Sequence, residues 1–126
     1  MTGRSGLLVA VVDDDASIRK AVSSLVRSAG HTARMYESGE DFLADDTLPP
    51  ADCLLTDIQM PGMNGLELQL AVAQRFPGLP VIIMTAFPKP ILRSRALAAG
   101  AARFLSKPFP AEELLEVLAE VAGPLA

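Results

Sequence analysis

The sequence has few of the residues that several kinds of site require. Among 126 residues there are one cysteine, one histidine and no tryptophan. A lone cysteine excludes an internal disulfide and a cysteine-based zinc site, and a lone histidine excludes a histidine-rich metal site. We interpret Cys53 as a small buried hydrophobic residue and His31 as a surface residue.

An excess of positive charge and a long apolar run are also missing. Lys and Arg number 11 against 15 Asp and Glu, a net charge of −4, so the chain lacks the basic footprint of nucleic-acid binding. Apolar runs fall short of the ~20 residues of a membrane span, and residues 7–12 are too short for a signal peptide. We expect a cytoplasmic domain with no nucleic-acid or membrane partner.

What is present is a repeated strand–helix pattern. Apolar runs at 7–12, 53–56, 81–84 and 102–105, with a weaker alternation at 31–36, predict five strands. A helical pattern follows each strand. The first covers 17–29, the second begins with a capping sequence at 38–41, the third runs from 64 to about 76, and the fourth runs from 90 to about 100. The fifth is marked by Leu114, Leu118 and Val121. This alternation predicts one α/β domain over 7–122 with a parallel sheet between two helix layers. Residues 1–6 and 123–126 are expected to be a flexible segment and a tail.

Helix boundaries carry recognisable signals. Asp15 or Ser17 can cap the first helix, and Gly30 stands where that helix stops. Asn64 with Glu67 forms a capping pattern for the third helix. Pro90 suits the first position of the fourth helix.

Polar residues collect where the predicted strands end: Asp13, Asp14, Asp57, Thr85 and Lys107. Carboxyl ends of parallel strands share one edge of the sheet, so we expect these side chains to lie close together. Neighbouring carboxylates repel each other and favour a hard divalent cation such as Mg²⁺. A lysine and a hydroxyl suit the oxygens of a transferring phosphoryl group. The pattern predicts a phosphoryl site with one carboxylate as nucleophile.

Four segments carry a family resemblance. They read VDDD at 12–15, TDIQMPGMNG at 56–65, MTA at 84–86 and SKPF at 106–109. In this order and spacing the chain resembles the receiver domain of two-component response regulators, in the style of FixJ/NarL-type regulators, over residues 7–122. The resemblance implies a flavodoxin-like (βα)5 doubly wound fold, three layers α/β/α, with strand order 2-1-3-4-5. At this length we expect no output domain.

The resemblance also implies a metal and a phosphoacceptor. Asp57 would accept the phosphoryl group from a sensor histidine kinase or a phosphotransfer protein. Mg²⁺ (or Mn²⁺) would be bound by Asp14, Asp57 and the backbone carbonyl of Gln59, with Asp13 acting through water. The protein would catalyse only its own phosphorylation and dephosphorylation, and so would not be an enzyme in the usual sense.

Further roles implied by the resemblance concern the switch. Thr85 would bond a phosphoryl oxygen, Lys107 would pair with the phosphate, and Phe104 would move inward with Thr85. Pro108 matches the family's cis-proline. The change would reach the face of the fourth helix, fifth strand and fifth helix, a possible homodimer or output surface.

Two surfaces have alternative interpretations. Arg93, Arg95 and Arg103 either belong to this output face or are simply solvated. The first helix and the loop after Lys107 suit kinase docking. The apolar residues Ile18, Ala21 and Val22 of that helix either contact the kinase or simply face the sheet.

The sequence departs from the family after Thr85, at the loop Phe87-Pro88-Lys89-Pro90. Two prolines remove two backbone donors and restrict their neighbours, which predicts a stiff start to the fourth helix. Phe87 and the uncharged Gln59 provide no carboxylate to orient an attacking water. We therefore expect a long-lived phosphoryl group.

Three alternatives remain open. A haloacid dehalogenase-type phosphatase or phosphotransferase needs a second acid two residues after its nucleophile, where this chain has Gln59. A flavodoxin-like flavin protein needs a hydroxyl-rich loop after the first strand, where this chain has three acids. A degenerate receiver acting as a docking module is disfavoured by the intact acids, threonine and lysine.

Overall fold

The computed structural model describes residues 6–46 and 51–122. Its strands are β1 (Leu8–Val12), β2 (Thr32–Tyr36), β3 (Cys53–Asp57), β4 (Val81–Thr85) and β5 (Arg103–Ser106). Its helices are α1 (Ala16–Ser28), α2 (Gly39–Ala44), α3 (Gly65–Arg75), α4 (Pro90–Ala98) and α5 (Ala111–Ala122). Three segments lie outside the described residues: the predicted tail at 123–126, residues 1–5 of the predicted N-terminal segment, and residues 47–50 between α2 and β3.

All strand pairs are parallel and the sheet order is β2-β1-β3-β4-β5. The predicted α/β doubly wound fold, with its strand order, is confirmed. Each predicted strand and helix is present, with ends shifted by one or two residues. None of the helices described is long and apolar enough to cross a membrane.

The core has two parts, one on each face of the sheet. One part packs residues of α1 and α5 against the strands, and the other packs residues of α2, α3 and α4. Leu55 belongs to the first part and its neighbour Leu54 to the second, and both side chains are fully buried. Burial on both faces explains why the central strands are continuous apolar runs. β2, at the sheet edge, is the most exposed strand, as its weak alternation predicted.

Helix starts follow the capping signals in the sequence. The Asp15 carboxylate accepts hydrogen bonds from the backbone N–H groups of Ser17 and Ile18, so Asp15 caps α1. Asn64 and Glu67 form the predicted capping box at α3, through bonds of 2.8 and 2.9 Å. These caps satisfy amide groups that have no partner within the helix.

His31 differs from its expected role. Its Nδ1 accepts a hydrogen bond from the backbone N–H of Leu7 at 2.9 Å, and the residue is half-buried. The expectation of a surface residue holds in part, because His31 stays partly exposed while its imidazole satisfies a backbone donor just before β1. Cys53 is fully buried as expected, and burial raises the pKa of its thiol to about 12.

The two ends of α4 are held differently. Near its C-terminal end, the buried side chain of Gln69 on α3 donates from Nε2 to the Ala96 carbonyl at 2.9 Å. At the N-terminal end, Pro90 takes the first position as predicted, and the N-cap residue Lys89 makes no side-chain capping bond. Among the residues described, the buried side-chain hydrogen bond between α3 and α4 is therefore made at the C-terminal half of α4.

Candidate functional site

The structure brings three carboxylates together at one edge of the sheet. Asp13 and Asp14 follow β1, and Asp57 ends β3, its direct neighbour. Ligand oxygens of all three lie within 4.8 Å of one another. Asp13 and Asp57 are buried, whereas Asp14 is exposed. Parallel strands thus place the predicted acids in one cluster.

Lys107, after β5, reaches into this cluster. Its Nζ lies 3.0 Å from Asp13 Oδ2 and 3.5 Å from Asp57 Oδ1. The Asp13 side chain is only 1% exposed and also accepts a hydrogen bond from the Asp15 N–H. The Lys107 ammonium therefore contacts two of the three carboxylates of the cluster, Asp13 and Asp57.

The surroundings of Asp57 displace the pKa of its carboxyl group. Burial raises the pKa of Asp57 above its ordinary value, and the negative charge of Asp13 adds to this rise. The ammonium of Lys107 and the hydrogen bond from the Ile58 N–H act in the opposite direction. The Lys107 charge thus offsets part of the cost of keeping a buried carboxylate ionised.

A close backbone approach fixes the position of Asp57. The Gly65 N–H donates to the Ile58 carbonyl at 2.9 Å, so the first residue of α3 lies directly against the end of β3. A Cβ atom on Gly65 would collide with the Asp57 backbone carbonyl. Only glycine allows α3 to begin this close to the candidate nucleophile.

The donor set fits a divalent cation with a preference for oxygen. Carboxylate oxygens are the ligands that Mg²⁺ uses in proteins, together with retained waters. Within the described part of the chain, Asp13, Asp14 and Asp57 form such a group, and exposed Asp14 leaves room for waters. Gln59 lines the same cavity as these acids.

Thr85 has a partner that the sequence did not reveal. Thr85 is fully buried and is the last residue of β4. It follows Met84, the β4 residue that pairs with Asp57. Its hydroxyl donates to Gln59 Oε1 at 2.7 Å and accepts from the Phe87 N–H at 3.0 Å. Sequence reasoning considered only the backbone carbonyl and the missing charge of Gln59, because no sequence pattern specifies where an exposed side chain turns.

Phe104 and Pro108 lie on either side of Lys107. Phe104 is 8% exposed and belongs to the core between the sheet and α2 to α4. The Arg93 guanidinium lies 5.8 Å from the centre of its ring. The Lys107–Pro108 peptide bond is cis.

Two of the three arginines have partners in the fold. Besides the Arg93 contact, Arg103 on β5 forms an ion pair with Glu120 on α5. Both side chains link elements of the predicted output face and are not simply solvated.

A cavity of about 600 Å³ lies beside the acids. Its lining includes Asp57, Lys107, Ile18, Ala21 and Phe109. Val22 also borders it but is 4% exposed and belongs to the core under α1. Of the apolar docking candidates on α1, Val22 mainly faces the sheet and Ala21 is exposed.

Curated relatives are similar to this chain in sequence over most of its length. NtrC of Salmonella typhimurium, a DNA-binding transcriptional regulator, is 42% identical over 111 residues, 88% of this chain and 24% of NtrC. The response regulator protein TodT of Pseudomonas putida is 35% identical over 115 residues, 91% of this chain and 50% of TodT. The chain thus spans a quarter to half the length of these curated relatives.

Solved structures agree in fold. The Vibrio cholerae chemotaxis protein CheY4 has a TM-score of 0.85 and 32% identity, covering 93% of this chain and 99% of CheY4. A BeF3-activated DrrB receiver domain has a TM-score of 0.84 and 28% identity, covering 92% and 97%. The model of the response regulator receiver domain matches residues 9–119. The chain therefore belongs to the response regulator receiver domain family of two-component systems.

Proposed function

We propose that this receiver domain accepts a phosphoryl group on Asp57 from the phosphohistidine of a sensor histidine kinase or a phosphotransfer protein. The observation that carries the proposal is the position of Lys107 Nζ, within 3.5 Å of Asp57 and 3.0 Å of Asp13. A buried carboxylate beside an ammonium group has both an ionised nucleophile and a counter-charge for phosphoryl oxygens.

In the transfer, an Oδ atom of Asp57 attacks phosphorus. The O–P bond forms, the N–P bond to the donor imidazole breaks, and the imidazole nitrogen keeps the electron pair. Attack requires ionised Asp57, which Lys107 and the Ile58 N–H favour against the effect of burial. Lys107 is already within reach of the carboxylate that would carry the new oxygens.

Mg²⁺ or Mn²⁺ is proposed as the cofactor. Asp14, Asp57 and the backbone carbonyl of Gln59 would hold it, with Asp13 acting through water. When bound, the cation supplies positive charge that neutralises carboxylate and phosphoryl oxygens. The support for this role is the cluster of three carboxylates, of which Asp13 and Asp57 share the Lys107 ammonium.

Phosphorylation would act by shifting a conformational equilibrium. The phosphoryl group would favour a state in which Thr85 bonds it, and Phe104 would respond beneath Arg93. The α4–β5–α5 face would then act on an output domain or partner, or form a homodimer; such couplings amount to ~1–3 kcal/mol. α1 and the loop after Lys107 would receive the kinase, in the cytoplasm.

The phosphatase alternative finds little support at Gln59. An amide has no titratable proton for general acid–base catalysis, and the Gln59 side chain contacts Thr85. A docking module without phosphorylation would not need the Lys107 contacts with Asp13 and Asp57. BeF3 activation of the related DrrB domain makes beryllofluoride a suitable phosphoryl mimic for this chain.

The test is labelling with acetyl phosphate and Mg²⁺, followed by intact-mass spectrometry. We expect one added phosphoryl group in the wild type and none in Asp57→Asn. Asp46→Asn, at an exposed acid that follows α2 and does not belong to the cluster of Asp13, Asp14 and Asp57, is the matched control and should be labelled normally. Labelling that persists in Asp57→Asn, or turnover of a small phosphate ester, would contradict the proposal.

A further inference from the structure

The one proton of the Thr85 hydroxyl is already used in a hydrogen bond. It donates its proton to Gln59 Oε1 at 2.7 Å and accepts from the Phe87 N–H at 3.0 Å. A hydroxyl has a single proton to donate. While that proton is bonded to Gln59, it cannot be donated to an oxygen on Asp57.

The bond joins the two loops that any change at Asp57 must affect. Gln59 lies two residues after Asp57, and Thr85 lies one residue beyond the β4 partner of Asp57. Thr85 is fully buried, and the cavity beside it is lined by Gln59 and Asp57 and by Ala86 and Phe87, the two residues that follow Thr85. An acceptor on Asp57 that takes the Thr85 proton must therefore displace Gln59 from it.

We propose that Gln59 is a latch, a positioning residue that holds the Thr85 hydroxyl in the unphosphorylated state and opposes the switch. This inference rests on the proposed function of Asp57 and Thr85. Phosphorylation would then exchange one hydrogen bond of Thr85 for another. Its driving force would be the difference between the two bonds, and the unliganded domain would be held in the inactive state.

The latch predicts a gain in affinity when the acceptor is removed. Gln59→Met keeps the length of the side chain and replaces the amide by a thioether, a weak acceptor. Gln59 is exposed, so the variant should fold. We expect beryllofluoride with Mg²⁺ to bind Gln59→Met about three- to tenfold more tightly than the wild type, the range expected from one neutral hydrogen bond.

A double-mutant cycle isolates the Thr85 contact. Thr85→Val removes the hydroxyl and keeps the shape, so Gln59→Met should have no effect on affinity in that background. Gln74→Met, the same change at an exposed glutamine on α3, is the matched control and should bind like the wild type. Dissociation constants come from isothermal titration calorimetry, with folding checked by thermal unfolding.

Three results would overturn the latch: weaker binding in Gln59→Met, unchanged binding, or an equal gain with and without the Thr85 hydroxyl. An equal gain would mean that Gln59 acts on the phosphoryl mimic directly. Failure of the wild type to bind beryllofluoride would instead refute the proposed function. The two failures are therefore distinguishable.

Discussion

Asp13 and Asp57 share one counter-charge, the ammonium of Lys107. Lys107→Met leaves two buried carboxylates facing each other, so we expect a loss of about 2 kcal/mol in unfolding free energy without divalent cation. Mg²⁺ should restore part of this loss, because it supplies positive charge to the same oxygens. Urea denaturation with EDTA and with Mg²⁺ measures both effects.

Lys20→Met provides the control for that experiment. Lys20 is an exposed lysine on α1, and its replacement should change stability by less than about 0.5 kcal/mol. Equal losses in the two variants would show that Lys107 does not stabilise the cluster.

The raised pKa of Asp57 predicts how stability depends on pH. Its pKa when folded exceeds the unfolded value near 3.8, so the folded state binds more protons in the interval between them. This contribution to stability grows as pH falls through the folded pKa and is absent at neutral pH. Asp57→Asn removes the buried charge and should be more stable than the wild type at about pH 7, in EDTA.

The advantage of Asp57→Asn should shrink as pH falls toward 3.8, because the wild-type carboxyl then becomes neutral as well. Thermal unfolding across this range measures the difference. Asp46→Asn, at an exposed acid, is the matched comparison. A constant difference at every pH would contradict the assigned cause.

Phe87 provides a test of phosphoryl lifetime. Its side chain is 60% exposed, and it lies two residues after Thr85 on the edge of the site cavity. Phe87→Glu places a carboxylate where it can orient water, so decay of the acetyl phosphate-labelled protein should become faster. Ile91→Glu, at an exposed residue of α4, should leave the decay unchanged. A wild-type half-life of seconds would contradict the expected long lifetime.

For single residues, the sequence predicts which side chains lie close together but not which rotamers they adopt. Strand ends are visible as acids after apolar runs, so the meeting of Asp13, Asp14 and Asp57 is predictable. The Gln59 bond to Thr85 and the His31 bond to Leu7 depend on side-chain rotamers set by packing. Neither residue type nor spacing encodes that choice.

Among the elements, α3 carries the strongest start signal. Asn64→Ala removes the acceptor for the Glu67 N–H and should cost about 1 kcal/mol of unfolding free energy. Glu67→Gln keeps an acceptor for the Asn64 N–H and should cost much less. Urea denaturation of both variants provides the comparison, and equal costs would contradict the capping-box account.

Element types and order were predictable because periodicity and caps act locally. The end of α1 was predicted one residue late, at 29, while its cap Asp15 was among the residues proposed. Sequence spacing could not show that Gln69 would reach the Ala96 carbonyl, since this contact depends on how α3 and α4 pack.

For the whole molecule, the two halves of the core share one sheet. Leu54→Ala and Leu55→Ala remove fully buried side chains from opposite faces of β3, and each should cost about 2–5 kcal/mol. Since the strands belong to both halves, unfolding should remain a single transition. Far-UV circular dichroism and Tyr36 fluorescence should give the same midpoint for each variant; separated midpoints would show that the halves unfold independently.

The unequal anchoring of α4 has a mechanical consequence. Its nine residues span about 13 Å. The hydrogen bond from Gln69 to the Ala96 carbonyl holds α4 near its C-terminal end. The other end, at Pro90, directly follows the loop after Thr85. We therefore expect a displacement of that loop to act over the six residue steps from Pro90 to Ala96, about 9 Å, and to rotate α4 about Ala96 without translating the whole helix.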